Sequence, residues 1–295
     1  MADGKVMRLE AGDYQLELCP EGGGCITALR YQGLDVMRPA TKAYWDGFQP
    51  RESASFPLVP FSNRIADGRF TYGGRDYQLP INMPPEPHAI HGDGWLAAWT
   101  VELRDACRAI LMHEPEDAPI PYRARQIFDL DDAGLTATLE ITNTGGHALP
   151  FGFGHHPYFP RTEGLTLQAA VAEVWLPDER KLPQDKVALP EEWDLNAATR
   201  LAPLDLDHCF TGFGGRAVMH WPESGLELAI ETDPVFGHLV VYVPPGRSFV
   251  CVEPVSHVTD GVHQLLAGRV DTGLVVLEPG ARLDGKMRFS ASVVA

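Results

Sequence analysis

Apolar and polar residues alternate with a period of two along much of this chain. In LTATLEIT (residues 135–142), Leu135, Ala137, Leu139 and Ile141 fall on one face and Thr136, Thr138, Glu140 and Thr142 on the other. That period belongs to a strand with one buried side. It recurs in DYQLELC through Tyr14, Leu16 and Leu18, in LELAIE through Leu226, Leu228 and Ile230, and in KMRFSASVV through Met287, Phe289, Ala291 and Val293. YRARQIFDL alternates less cleanly, with Ile127 sharing a side with Arg123, Arg125 and Asp129, while the apolar run SFVCVEP predicts a buried strand. Turn signals separate such runs at Tyr72-Gly73-Gly74, Asp132-Ala133-Gly134 and Thr144-Gly145-Gly146. Helical periodicity is confined to DGVHQLLAG, where Asp260 or Thr259 would cap a short helix. Two proline-rich segments, INMPPEPHAIHG and residues 177–203, predict long loops. The pattern predicts an all-β chain with few short helices, a large antiparallel sandwich or barrel forming one domain over residues 1–295, with its site in a cleft between loops.

Composition narrows the partners. A hydrophobic fraction of 44% and a charged fraction of 22% suit a soluble globular protein, and 29 glycines with 25 prolines fit many turns. The formal charge of −16, without any basic run, argues against nucleic acid and anionic membrane surfaces. No apolar run reaches the roughly 20 residues of a membrane helix. Five cysteines, without a CxxC pair, and an N-terminus MADGKVMRLE lacking a signal-peptide apolar core point to free thiols in a reducing cytoplasm.

Polar residues set among aromatics, glycines and prolines mark the candidate chemistry: PFSNRIADGRF, HAIHGDGW, GFGHHPYFP, LDLDHCF and FVCVEPVSH. Arg64 is either a structural ion-pair partner or a guanidinium fork for ligand oxygens. His91 lies three residues after His88, and the glycines beside Asp93 would let backbone approach a ligand on which Trp95 could stack. Glu253, at the end of an apolar strand, is either salt-bridged or a carboxylate raised toward neutrality for proton transfer. A metal reading would gather His88, His91, His155, His156 and Glu253 on a β barrel, but adjacent strand residues point to opposite faces, so His155 and His156 would not share an ion. No GxSxG elbow, P-loop or dinucleotide fingerprint is present.

In order along the chain, NRI with GxF (Asn63 to Phe70), YGGRDYQLPIN leading into HAIHG, HPYF (His156 to Phe159), the Asp207-His208 pair and VEP around Glu253 resemble the aldose 1-epimerase family, the galactose mutarotases and their relatives. The resemblance implies a β supersandwich with an open sugar cleft that interconverts α and β anomers without cofactor or metal. It further implies Glu253 as general base, His156 as general acid, His91, Arg64 and Asp207 as sugar-binding residues, and Asn63, Asp93, Trp95 and Tyr158 as further contacts. Strand alternation would send His155 to the opposite face. The partner implied is a small sugar, with the chain a monomer or homodimer. HGDG in place of the family's HGG, and GFGH before HPYF, bear on the choice of sugar. A hexose 6-phosphate or other anionic sugar is the alternative, with Arg51, Arg69 and Arg75 as cationic candidates. A non-catalytic sugar-binding sandwich is the other.

Overall fold

The computed structural model describes residues 6–294, so the first five residues of MADGKVMRLE lie outside the described region. Two large antiparallel sheets dominate. The first runs in the order Met7–Ala11, Tyr14–Cys19, Cys25–Tyr31, Ser55–Leu58, Gly154–Pro160, Phe249–Val255, His238–Val243, Leu206–Thr211, Glu173–Pro177 and Pro183–Ala188, with Leu34–Asp35 beside Cys25–Tyr31. The second runs Thr100–Arg104, Arg108–His113, Tyr122–Asp131, Gly134–Asn143, Arg282–Val293, Leu226–Thr232, Arg216–Trp221, Thr166–Ala169 and Thr199–Arg200. This is the large two-sheet antiparallel architecture expected from the alternation.

The alternating segments form these strands because each has an apolar side to bury. Leu135, Ala137, Leu139 and Ile141 are all buried, as are Leu228, Ile230, Met287 and Phe289. In the last strand the alternation fades outward: Ala291 is half-buried and Val293 exposed. The irregularity at Ile127 has a specific cause, because its neighbour Gln126 takes the inward position and donates to the Gly24 carbonyl at 3.0 Å. That bond satisfies the Nε2 donor of the buried amide, while its Oε1 has no partner among the described residues.

Three expectations need correction. Residues 177–203 are not one loop, since Pro183–Ala188 pairs with Glu173–Pro177 and Thr199–Arg200 extends the second sheet. Gly261–Leu266 is helical, but neither expected cap works through its side chain: the Asp260 carboxylate instead accepts the Ala66 N–H at 2.9 Å and contacts His263 Nδ1 at 2.7 Å. A second short helix, Lys42–Gly47, has no counterpart in the sequence reading. Within INMPPEPHAIHG, Ala89–Ile90 pairs with Arg64–Ile65 and so brings NRI and HAIHG together.

The first sheet is covered on both faces. One contributes Leu16, Leu29, Val250 and Val252 to the core shared with Phe128, Leu139 and Phe289 of the second sheet. The other carries a separate cluster of Phe56, Tyr158, Cys209, Val240 and Cys251, with Trp95 packed among them. That second face is the floor of the cleft.

Candidate active site

The centre of the cleft is a cross-strand pair. Gly154–Pro160 runs antiparallel to Phe249–Val255, with Gly154 opposite Val255 and Tyr158 opposite Cys251, so His156 stands opposite Glu253. Their side chains meet at 3.3 Å, Nε2 to Oε1. The His156 ring is held between Phe56 and Tyr158, stacked on them at centroid distances of 4.5 and 4.7 Å. His155 leaves by the opposite face, 6.4 Å from the Phe128 ring, with both ring nitrogens buried and unpartnered among the described residues.

Burial sets the protonation of this pair. It pushes the Glu253 carboxyl well above the usual carboxylate range, the Asp207 carboxylate adding to the rise and the Arg64 guanidinium opposing it. Burial also lowers the His156 imidazole to about 3. Both shifts favour the neutral forms, a carboxyl that keeps its proton and an unprotonated imidazole, over an ion pair at their 3.3 Å approach. Moving that proton to Nε2 yields a carboxylate and an imidazolium with no change in proton count.

His91 comes from a turn in which His91 and Gly92 both adopt positive φ, 61° and 69°. Glycine is required at 92, because a Cβ there would lie 1.9 Å from the Val59 carbonyl oxygen. The Asn63 N–H donates to His91 Nδ1 at 3.1 Å, which leaves the proton of the neutral ring on Nε2. Neutrality is favoured by burial, with His156, Arg64 and Arg51 nearby lowering the pKa further. The His91 and His156 rings stand edge to face, centroids 5.3 Å apart. Arg64 shares the Asn63 side-chain oxygen at 3.2 Å and pairs with Glu86 at 3.2 Å, while Asp207 pairs with Lys181 at 2.9 Å. These groups line one cleft of about 220 Å³.

Residues 5–290 match the family model for aldose 1-epimerase. The chain belongs to the aldose 1-epimerase family. It is 32% identical over 290 residues to the uncharacterized protein YphB of Escherichia coli K12, spanning 96% of this chain and 97% of that one. A putative aldose 1-epimerase from E. coli K12 has the same fold at a TM-score of 0.90 and 32% identity, covering 98% of this chain and 99% of that one. A shorter match, 27% identical over 136 residues, joins 44% of this chain to 38% of the galactose mutarotase of Mus musculus.

In this aldose 1-epimerase family member, seven of the expected residues line the cleft: Asn63, Arg64, His91, His156, Tyr158, Asp207 and Glu253. Two do not. The Asp93 carboxylate turns away from the cleft and accepts the Tyr122 hydroxyl at 2.5 Å, and Trp95 is buried behind Phe56, donating from Nε1 to the Gly92 carbonyl at 3.0 Å. Of the three arginines considered for an anion, Arg51 lines the cleft, whereas Arg69 binds Gln78 and Arg75 lies at a hairpin near Tyr77 and His147. The five residues of the metal reading do not converge: His88 is bonded to the Asp67 N–H and the Arg180 carbonyl, and His155 faces the core. Sequence reading missed Phe56, Glu86, Lys181, Val240 and Tyr242. The two-residue spacing of Val240 and Tyr242 in HLVVYV is a strand signal that places both on one side, whereas Glu86 and Lys181 come from loops without local periodicity.

Proposed function

We propose that this chain is an aldose mutarotase that opens and recloses a sugar ring by proton transfer at Glu253 and His156. The observation that carries this reading is the 3.3 Å approach of Glu253 Oε1 to His156 Nε2 at the floor of an open, polar-rimmed cleft. The anomeric hydroxyl oxygen and the ring oxygen are bonded to the same carbon, so two groups this close can serve both. As carboxylate, Glu253 takes the anomeric hydroxyl proton while imidazolium His156 protonates the ring oxygen. The ring C–O bond breaks and a carbonyl forms. Rotation about C1–C2 presents the other carbonyl face, and closure returns each proton to its donor. His91 Nε2–H donates to a sugar oxygen, Arg64 binds hydroxyls through its fork, and Asp207 accepts from others. The match to mouse galactose mutarotase supports a sugar as ligand.

Freshly dissolved single anomers, followed by polarimetry or exchange NMR, test the reading. Glu253→Gln and His156→Asn should each lower turnover by about 100-fold or more with the fold kept, since an amide hydrogen-bonds but does not exchange the proton. Wild-type rates in either variant remove that residue from the mechanism. Sugar binding with no rate effect in any variant supports the non-catalytic sandwich.

One observation favours an anionic sugar as a second reading. Arg64 and Lys181 are paired with carboxylates, but Arg51 lines the cleft with no acidic partner among the described residues. A neutral-versus-anionic sugar screen with Arg51→Ala separates the two: selective loss of the anionic substrates supports this reading, and equal rates oppose it.

A further inference from the structure

We infer that His156, Cys251 and Glu253 form a binding site for a thiophilic divalent cation, with Zn²⁺ the fitting ion, and that its occupation disables the proton-transfer pair. Cys251 and Glu253 are two residues apart on Phe249–Val255, so both side chains leave the same face of the strand. The register places Tyr158 opposite Cys251, which sets His156 diagonal to the thiol and opposite the carboxylate. One ligand atom from each residue, nitrogen, sulfur and oxygen, lies within 4.8 Å of the other two, and all three residues are buried. Zn–N bonds of about 2.0 Å and Zn–S bonds of about 2.3 Å separate ligand atoms of a tetrahedral ion by roughly 3.3–3.6 Å. The Nε2–Oε1 pair already stands at 3.3 Å, within that range.

Thiolate, imidazole and carboxylate form a donor set suited to zinc and poorly suited to Mg²⁺ or Ca²⁺, which prefer oxygen. Three protein ligands leave a fourth position, and two of the three, His156 and Glu253, line the cleft. Cys251 is a free thiol. Binding displaces the thiol and carboxyl protons to solvent and occupies the Nε2 lone pair, so neither partner can exchange a proton with a sugar. The ion is an inhibitor here and not a cofactor, because the ring-opening steps use only Glu253 and His156. Cys251 has no part in those steps.

The inhibition rests on the mutarotase reading, whereas the binding does not, so the experiment measures them separately. Calorimetric titration with ZnCl₂ should give one ion per chain in the wild type, and the Co²⁺ form should show a thiolate-to-cobalt charge-transfer band. Cys251→Ser and Cys251→Ala should weaken Zn²⁺ by about tenfold or more and abolish the band, because each removes the sulfur ligand. Cys251→Ala keeps the test interpretable if the serine hydroxyl disturbs packing, and near-ultraviolet circular dichroism verifies both folds. In rate assays Zn²⁺ should stop wild-type turnover, EDTA should restore it, and the Cys251 variants should keep their basal rate at the same Zn²⁺ concentration. Absence of the cobalt band, or equal Zn²⁺ affinity in wild type and variants, overturns the site. Wild-type mutarotation indifferent to bound Zn²⁺ overturns the inhibition. A normal band in a protein that accelerates no sugar upholds the site and removes the mutarotase reading.

Discussion

His155 and His156 are neighbours in sequence with opposite surroundings, because a strand sends consecutive side chains to opposite faces. His156 meets a carboxylate in the cleft; His155 meets hydrocarbon and Phe128. Burial lowers His155 to about 4, and its unfolded value is about 6.5. Between those values the unfolded chain binds the proton and the folded chain does not, so stability is full above about pH 6.5 and falls as pH drops toward 4. The difference of about 2.5 units corresponds to about 3 kcal/mol across the whole window, roughly 2 kcal/mol of it lost by pH 5. His155→Leu should remove this slope. It also removes two unpartnered buried nitrogens, so the variant should be at least as stable as wild type near pH 7.5. Denaturant melts at pH 7.5, 6 and 5 measure both effects, and a variant with the wild-type slope would place the acid sensitivity elsewhere. His257, also lowered by burial to about 4, keeps a second such slope in the background. Glu253 runs the other way: its raised pKa contributes stability that is fully present below its unfolded value and is lost as pH rises through the folded one.

At the scale of elements, the site depends on a turn that no periodic pattern describes. Asn82 brackets His91 with three hydrogen bonds, accepting from the Ile90 N–H at 3.0 Å and donating to the carbonyls of Ile90 at 2.7 Å and Gly92 at 2.8 Å. Asn82→Ala frees the backbone at Ile90 and Gly92, on either side of His91, in a turn where His91 and Gly92 hold positive φ. We expect kcat/KM to fall by about tenfold, chiefly through KM, with a loss of about 1–3 kcal/mol in stability from the unpaired backbone groups. Unchanged kinetics at a lowered melting temperature would make Asn82 purely structural.

The same turn shows where sequence reading stops. Alternation located the buried strands at residues 135–142 and 226–231 and sorted His155 from His156, because each side chain's direction follows from its place in a strand. Asp93 and Trp95 were misplaced because two successive positive-φ residues redirect the chain before them. Pro183–Ala188 was hidden for a different reason: all six of its residues are half-buried or exposed, so an edge strand without a buried face carries no hydrophobic signal. Lys181 and Glu86 reach the cleft from loops, and only the assembled fold brings them beside Asp207 and Arg64.

For the whole molecule, the second sheet is completed from the far end of the chain. Arg282–Val293 lies between Gly134–Asn143 and Leu226–Thr232: its residues 282–289 pair with the first strand and 287–293 with the second, so Met287, Arg288 and Phe289 pair with both. It also joins the two sheets, because the Tyr14 hydroxyl donates to the Ala291 carbonyl at 3.0 Å and accepts the Ala291 N–H at 2.6 Å. A strand at this position cannot fray independently. Its removal would split one sheet into two, open unpaired edges on Gly134–Asn143 and Leu226–Thr232, and uncover Leu139 and Ile230. Pairings this distant in sequence form only after large loops have closed, so the truncated chain would also lack the contacts that make closure favourable. A chain ending at residue 281 should therefore be insoluble or unfolded. Removing only residues 294 and 295 gives up, among the described residues, the backbone bond from Val294 N–H to the Gly225 carbonyl, and should leave a cooperative fold. Soluble yield and far-ultraviolet circular dichroism of the two truncations decide the matter, and a folded chain ending at 281 would show that the cleft-bearing sheet is stable without the centre of its partner.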